Sequence, residues 1–190
     1  IEIEKLKIKF VIDNSQIKTK SNHGNIIAKI KSDPSLPTIV LSSHMDTVVP
    51  GNGIKPLVKK NHVVSSGDTI LGADDKSGLA IILEILEVFS TGKFNHLNIE
   101  AAITTCEEIG LLGAKYLDYK LLKSKEGIVL DSTSPERLVT KGPASDLFNI
   151  EVNGIEAHSG VNPELGLSSI KFASEIINKI QTGRIGKNTT

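Results

Sequence analysis

The chain has 190 residues, 22 basic and 22 acidic side chains, no net charge, 39% hydrophobic and 23% charged residues. That is a folded globular composition, and without a basic excess neither nucleic acid nor an anionic membrane surface is an expected partner. One cysteine closes no internal disulfide, the longest apolar run, Leu79 to Leu83, is far too short for a bilayer, and no charged-then-apolar leader is seen, so the cytoplasm is the expected compartment.

In chain order, Ile1, Ile3, Leu6 and Ile8 fall among Glu and Lys and read as a continuing element. Asn25 to Ile30 reads as a short strand. Thr38 to Ser43, with Ile39-Val40-Leu41 unbroken, reads as a central strand covered on both faces. Pro50 to Pro56 is loop, and His62 to Ser65 a small strand. Asp75 to Phe89 is a helix apolar nearly all round and therefore expected to be buried. Leu97 to Thr105 reads as a strand, Gly110 to Leu121 as a helix and Gly127 to Leu130 as a short buried strand. The alternation predicts an α/β core with a mainly parallel central sheet over residues 1–140.

After the breaker Lys141-Gly142-Pro143 the texture changes. Leu147 to Val152 alternates as a strand would, and a helix is expected from near Pro163 to about Lys179. One strand and one helix do not close a core, so residues 141–190 read as the first piece of a second domain. The chain runs out at Asn188-Thr189-Thr190 straight after that helix, and a longer protein is expected. The sequon at Asn188 reads as chance in a chain without secretory features.

The acidic and imidazole groups fall at strand ends. Ile39 to Ser43 runs into His44-Met45-Asp46, Ile99 to Thr105 into Cys106-Glu107-Glu108, and Ile128 to Leu130 into Asp131. Asp74-Asp75 stands before the buried helix. Ligands of open α/β sheets gather at the carboxyl ends of the strands, and this much negative charge in one cleft needs a counter-ion. Singly each has an ordinary reading: a surface loop, a solvated turn, a helix cap. Together at one sheet edge they point to one divalent cation, or two sharing a carboxylate. Mixed His and carboxylate donors suit zinc, with manganese or cobalt as alternatives, whereas calcium takes oxygen alone.

Two rival readings fail on the residues. A phosphate loop needs glycine immediately before its lysine, and Asp75 precedes Lys76. A Rossmann-type binding module would need a Gly-x-Gly-x-x-Gly turn, which is missing. Cys106, beside two carboxylates, is poorly placed as a thiolate nucleophile and reads as core packing.

Four motifs in order carry a resemblance: Ser43-His44-Met45-Asp46-Thr47-Val48, Leu71-Gly72-Ala73-Asp74-Asp75-Lys76-Ser77-Gly78, Thr105-Cys106-Glu107-Glu108-Ile109-Gly110-Leu111-Leu112-Gly113-Ala114 and Leu130-Asp131-Ser132. They resemble the two-metal exopeptidase and aminoacylase family that contains peptidase T, glutamate carboxypeptidase, succinyl-diaminopimelate desuccinylase and aminoacylase, with the wording most similar to the peptidase T branch. Gly154 to Gly160 with Pro163 to Gly166 is similar to the opening of that family's α+β, ferredoxin-like lid or dimerisation domain. The resemblance implies that His44, Asp74 and Asp131 bind one metal, that Asp74 bridges to a second held by Glu108, and that Asp46 orients His44. It further implies Glu107 as general base and acid, and His158 as a lid histidine contacting the substrate or oxyanion. The implied substrates are short peptides, tripeptides first, and a homodimer through the lid is a further implication. N-acyl amino acid deacylase or carboxypeptidase activity uses the same motifs, and a non-catalytic binding relative would keep the fold without the base.

One departure bears on activity. The family uses a further metal-binding histidine from the distal catalytic segment, and His23, His62 and His96 stand where no ligand is expected. The second metal then has only Asp74 and Glu108 from this chain. The full protein is expected to be roughly twice as long, since a lid and a returning catalytic segment must follow, and this piece alone is expected to be inactive or weak.

Overall fold

The computed structural model describes residues 2–142 and 146–186; Ile1, Pro143 and the Asn188 sequon lie outside the described residues. The chain divides into two compact units, Ile1–Glu136 and Arg137–Thr190. Among the described residues no helix is long and apolar enough to cross a membrane.

The first unit runs α1 (Glu2–Lys5), β1 (Phe10–Ile12), α2 (Gln16–Thr19), β2 (Ile26–Ile30), β3 (Thr38–His44), β4 (Pro56–Val58), β5 (Val63–Ser65), α3 (Ala73–Ser90), β6 (Asn98–Thr104), α4 (Leu112–Lys115) and β7 (Glu126–Val129). Five strands form one sheet in the order β1-β2-β6-β3-β7, and β4 pairs with β5 as a separate ribbon. Strand β3 is parallel to β6 and to β7, whereas β2 is antiparallel to β6 and to β1. Four of the five strands therefore share one direction and only β2 is reversed, so the sheet is mainly parallel. The reversal has a local effect: β2 begins at the edge where β3 and β6 end, with Ile26 opposite Ile103 and His44 opposite Thr104.

Alternation divides the sheet's faces. Ile26, Ala28 and Ile30 of β2, Leu41 of β3 and Ile99, Ala101 and Ile103 of β6 join Ile82 and Leu86 of α3 in one buried cluster, which also takes in Ile3 and Ile8. Ile82 and Leu86 are completely buried; each side chain contributes about 1.5–3 kcal/mol relative to exposure. On the other face the cross-strand pair of Lys29 and Glu100 is joined at 2.8 Å. The Glu100 carboxylate also accepts the N–H groups of Lys123 and Ser124, and the Ser124 hydroxyl at 2.8 Å. The acid thereby pins the segment that leads into β7. Lys29 Nζ donates to the Leu121 carbonyl as well.

Several sequence expectations need correction. The helix expected over Gly110 to Leu121 is broken into the one turn of α4 and a 3-10 turn at Tyr119–Leu121; positive φ at Gly110 and Leu111 delays its start to Leu112, and the non-helical Asp118 (ψ 87°) separates the two turns. Strand β7 forms but is exposed along its whole length, because it is the edge of the sheet. Helix α3 buries only the stripe Asp75, Gly78, Ile82 and Leu86, and Ile81 is half exposed. Strand β1, which the sequence reading did not anticipate, extends the opposite edge.

In the second unit the strand expected over Leu147 to Val152 is absent, and residues 146–152 form neither helix nor strand. The extended contact lies further on, as a single antiparallel bridge between Ile155 and Leu167. The expected helix is split into a 3-10 turn, Pro163–Leu165, and α5, Ser169–Lys179, because Gly166 is extended. Ser168 caps α5 by accepting the N–H of Lys171 at 3.2 Å.

Candidate metal centre

The carboxyl ends of β3, β6 and β7 converge with the start of α3. His44 closes β3 and is 2% exposed. Its Nδ1 lies 2.9 Å from the backbone carbonyl of Asp46. A carbonyl only accepts, so Nδ1 carries a proton and Nε2 is the nitrogen that faces the acids. Nε2 is 3.1 Å from Asp74 Oδ1, 3.9 Å from Glu107 Oε2 and 3.9 Å from Asp131 Oδ2.

Each acid is delivered by a local device. Gly72, at φ 72°, starts α3 in the left-handed region, and Asp74 and Asp75 keep non-helical dihedrals. The regular helix therefore begins only after them. Asp74 remains largely open to solvent, whereas Asp75 is buried and turned back into its own helix, where Oδ1 accepts the N–H of Gly78 at 3.0 Å. Ser43 Oγ donates to the Asp75 carbonyl at 3.1 Å. Glu107 and Glu108 sit on a turn opened by Cys106 at φ 56°. Asp46 holds that turn: its carboxylate accepts the N–H of Glu107 at 3.1 Å and of Glu108 at 3.2 Å. Its Oδ1 is 3.5 Å from His44 Nδ1, so the imidazole's nearer partner is the Asp46 backbone.

Two triads of ligand atoms arise, His44 with Asp74 and Asp131, and His44 with Glu107 and Glu108, each mutually within 4.8 Å. His158 belongs to the second unit, where its Nδ1 accepts the N–H of Gly160 at 3.1 Å. Lys76 is tied by its Nζ to the Met45 carbonyl.

The electrostatics follow from crowding. Burial raises the Glu107 pKa above the ordinary carboxylate value, with Asp131, Glu108 and Asp46 adding to the rise and His44 opposing it. Asp131 is raised likewise, by burial and then by Asp74 and Asp75. For His44 burial disfavours the charge, but the hydrogen bond to Asp74 and the charge of Glu107 outweigh it, and its pKa rises. These acids hold their negative charge against resistance, and a cation relieves it. The donor set fits a divalent ion: an imidazole whose Nδ1 is tied to a carbonyl and whose Nε2, on giving up its proton, offers a lone pair, with carboxylate oxygens around it.

The sequence reading missed two supports of this edge. Asp46 was expected to serve His44, and its carboxylate's grip on the Glu107–Glu108 turn was not foreseen. The buried pair of Asp13 and Asn25 carried no motif; its only signal was an Asn at the mouth of an apolar strand.

The sequence profile described as Peptidase family M28 matches residues 25–145. The chain belongs to peptidase family M28. Within this M28 chain the matched stretch contains His44, Asp46, Asp74, Glu107, Glu108 and Asp131, and His158 lies outside it. The uncharacterized protein YqjE of Bacillus subtilis (strain 168) is 42% identical over 179 residues, covering 94% of this chain and 48% of that protein. Among solved structures, a tripeptidase from Staphylococcus aureus subsp. aureus Mu50 is similar with a TM-score of 0.78 and 31% identity. An aminopeptidase PepT from Bacillus cereus ATCC 10987 is similar with a TM-score of 0.73 and 37% identity. Each of these two comparisons covers 98% of this chain and 50% of the other. The M28 chain thus spans about half the length of the relatives it matches.

Proposed function

We propose that this chain carries the metal-binding part of a metal-dependent aminopeptidase that removes the N-terminal residue of short peptides, tripeptides foremost. The single observation that carries the reading is the convergence of His44 Nε2 with the carboxylates of Asp74, Glu107 and Asp131 at one sheet edge. Likeness to a tripeptidase and an aminopeptidase supports the choice of substrate.

His44, Asp74 and Asp131 would hold one ion, and Asp74 with Glu108 would hold a second, completed by a ligand from outside this chain. Zinc is the ion we assign, with manganese or cobalt as substitutes. When bound, such ions acidify water and polarise the scissile carbonyl. Glu107 does the proton work: its carboxylate takes a proton from the attacking water as the C–O bond forms and gives it to the peptide nitrogen as the C–N bond breaks. Burial and its acidic neighbours raise its pKa, which suits a group that must hold a proton in mid-reaction. Asp46 sets the position of Glu107 through the backbone. The second unit, with His158, would open a lid or dimerisation domain, and His158 would face substrate there. Cytoplasmic residence completes the reading.

The test is hydrolysis by the full-length protein, loaded with zinc, manganese or cobalt, of a tripeptide, the same tripeptide N-acetylated, and an N-acyl amino acid. Cleavage only of the free tripeptide is expected. Preference for the N-acyl amino acid would replace the aminopeptidase with a deacylase, and no cleavage with any ion would leave a binding relative.

A further inference from the structure

Behind the Glu107–Glu108 turn lies a buried polar pair that the proposed reaction does not use. Asn25 is 0% exposed and Asp13 4%. Asn25 Oδ1 accepts the N–H of Thr105 at 3.1 Å, and its Nδ2 donates to the Gly113 carbonyl and to Asp13 Oδ2, each at 2.9 Å. The Asp13 carboxylate also accepts the N–H groups of Asn25 at 2.9 Å, Ser15 at 3.0 Å and Asp118 at 3.2 Å.

Thr105 and Gly113 are the two feet of the turn that carries Glu107 and Glu108. The feet meet closely: a Cβ at Gly113 would lie 1.8 Å from the Thr105 carbonyl and 2.8 Å from Asn25 Oδ1. Leu112 N–H closes the loop on the Cys106 carbonyl at 2.9 Å. One amide therefore ties both feet from behind, while Asp46 grips the tip. Its orientation is determined. A flipped amide would set its NH2 against the Thr105 N–H, and its oxygen against the Gly113 carbonyl and the Asp13 carboxylate. Every polar atom of the Asn25 amide and of the Asp13 carboxylate is paired, and a buried pair so satisfied is rigid.

We propose that Asn25, backed by Asp13, is a positioning residue for the Glu107–Glu108 turn, holding its feet so that the Glu107 carboxylate meets the attacking water in reactive geometry. The proposal rests on Glu107 being the proton carrier. A purely structural Asn25 would fasten β2 to its neighbours and lower thermal stability without changing turnover per folded molecule. A positioning Asn25 acts on kcat, because slack in the feet displaces Glu107 while the substrate's own contacts stay. A misplacement on the order of 1 Å costs roughly 10²-fold in rate.

The test uses the full-length, zinc-loaded protein with a tripeptide, comparing wild type, Glu107→Gln, Asn25→Asp and Asn25→Ser. Asn25→Asp keeps the shape and the acceptor for Thr105 but sets an oxygen against the Gly113 carbonyl and Asp13; Asn25→Ser buries no charge and serves if the first does not fold. For a folded variant, kcat is expected to fall roughly 10²-fold with KM changed less than about 3-fold. Zinc affinity should fall by no more than about 10-fold, since the same turn carries Glu108, and faster amide exchange should be confined to Thr105–Gly113. Wild-type kcat in a folded Asn25 variant, with Glu107→Gln inactive, would overturn the positioning role alone. Failure of both Asn25 variants to fold would assign Asn25 to stability and overturn it too. An inactive wild type, or an active Glu107→Gln, would overturn the reaction itself and with it the role of Asn25 in that reaction.

Discussion

The backbone carbonyl of Asp46 lies 2.9 Å from Nδ1 of His44, while the carboxylate of the same residue spans the backbone N–H groups of Glu107 and Glu108. One residue thus serves two partners through different atoms, and substitution separates them. Asp46→Ala keeps the carbonyl and with it the imidazole's orientation, but frees the turn. In the full-length protein we expect metal affinity to fall by about 10-fold and kcat by roughly 10²-fold, read by chelator competition and tripeptide turnover. A loss of metal as complete as in His44→Ala would show that the carbonyl contact does not orient the imidazole.

Glu107→Gln keeps the shape of the side chain and removes its capacity to take a proton. Turnover should fall by roughly 10²- to 10⁴-fold with bound metal unchanged, measured by steady-state kinetics beside metal analysis. Unaltered turnover would remove Glu107 from the proton transfer.

Acid should weaken the fold through Glu100 and Asp13. In Glu100 burial alone would raise the pKa, but the hydrogen bonds from Lys29, Ser124 and Lys123 outweigh it and the value is lowered. Asp13 is lowered likewise, burial being outweighed by Ser15 and Asn25. A folded-state value below the unfolded one adds stability that is complete above the ordinary carboxylate range and is lost as pH falls through the folded value. Urea midpoints should therefore drop steeply below about pH 4.5. Glu100→Gln should cost about 3 kcal/mol at pH 7 and flatten that acid limb; an unchanged slope would exclude Glu100 as a cause.

Gly78→Ala probes the contact between α3 and the end of β7. A Cβ there would lie 2.2 Å from the Leu130 carbonyl and 2.5 Å from Asp75 Oδ1. Backbone is not a neighbour that yields easily, and we expect a loss of about 1–3 kcal/mol in thermal or urea unfolding. Since Leu130 adjoins Asp131 and Asp75 adjoins Asp74, weaker metal binding should accompany it. A neutral effect on both would mean that α3 and the strand end shift freely.

The parts legible in the sequence were those with strong local patterns. The run from Ile99 to Ile103 reads as a strand and is buried, whereas in Ile39-Val40-Leu41 only Leu41 is fully buried because the exposed edge strand β7 lies alongside; the acids at the strand ends follow from the polarity of a parallel sheet. What local pattern cannot carry is tertiary context. Ile128 and Val129 look buried by composition yet lie on an edge. Leu147 to Val152 alternates, but among the described residues it has no partner strand and forms none. The Gly110–Leu121 segment has helical composition, but it must first turn sharply at Gly110 and Leu111 to present Glu107 and Glu108. Asn25, Asp13 and Glu100 were silent because their roles depend on partners far along the chain, as with Asn25 and Gly113.

The single reversed strand has a consequence for how this protein fails. Because β2 runs against its neighbours, its pairing with β6 decides whether Asn25 arrives beside Thr105 at all. A slip of one residue would exchange Ile26, Ala28 and Ile30 for Ile27 and Lys29 on the core face and carry the amide past the turn. Substitutions in the middle of β2, away from the acids of the metal centre, should then appear as lesions of chemistry as well as of solubility. The alignment of an inner strand and the competence of the outer rim are inherited together.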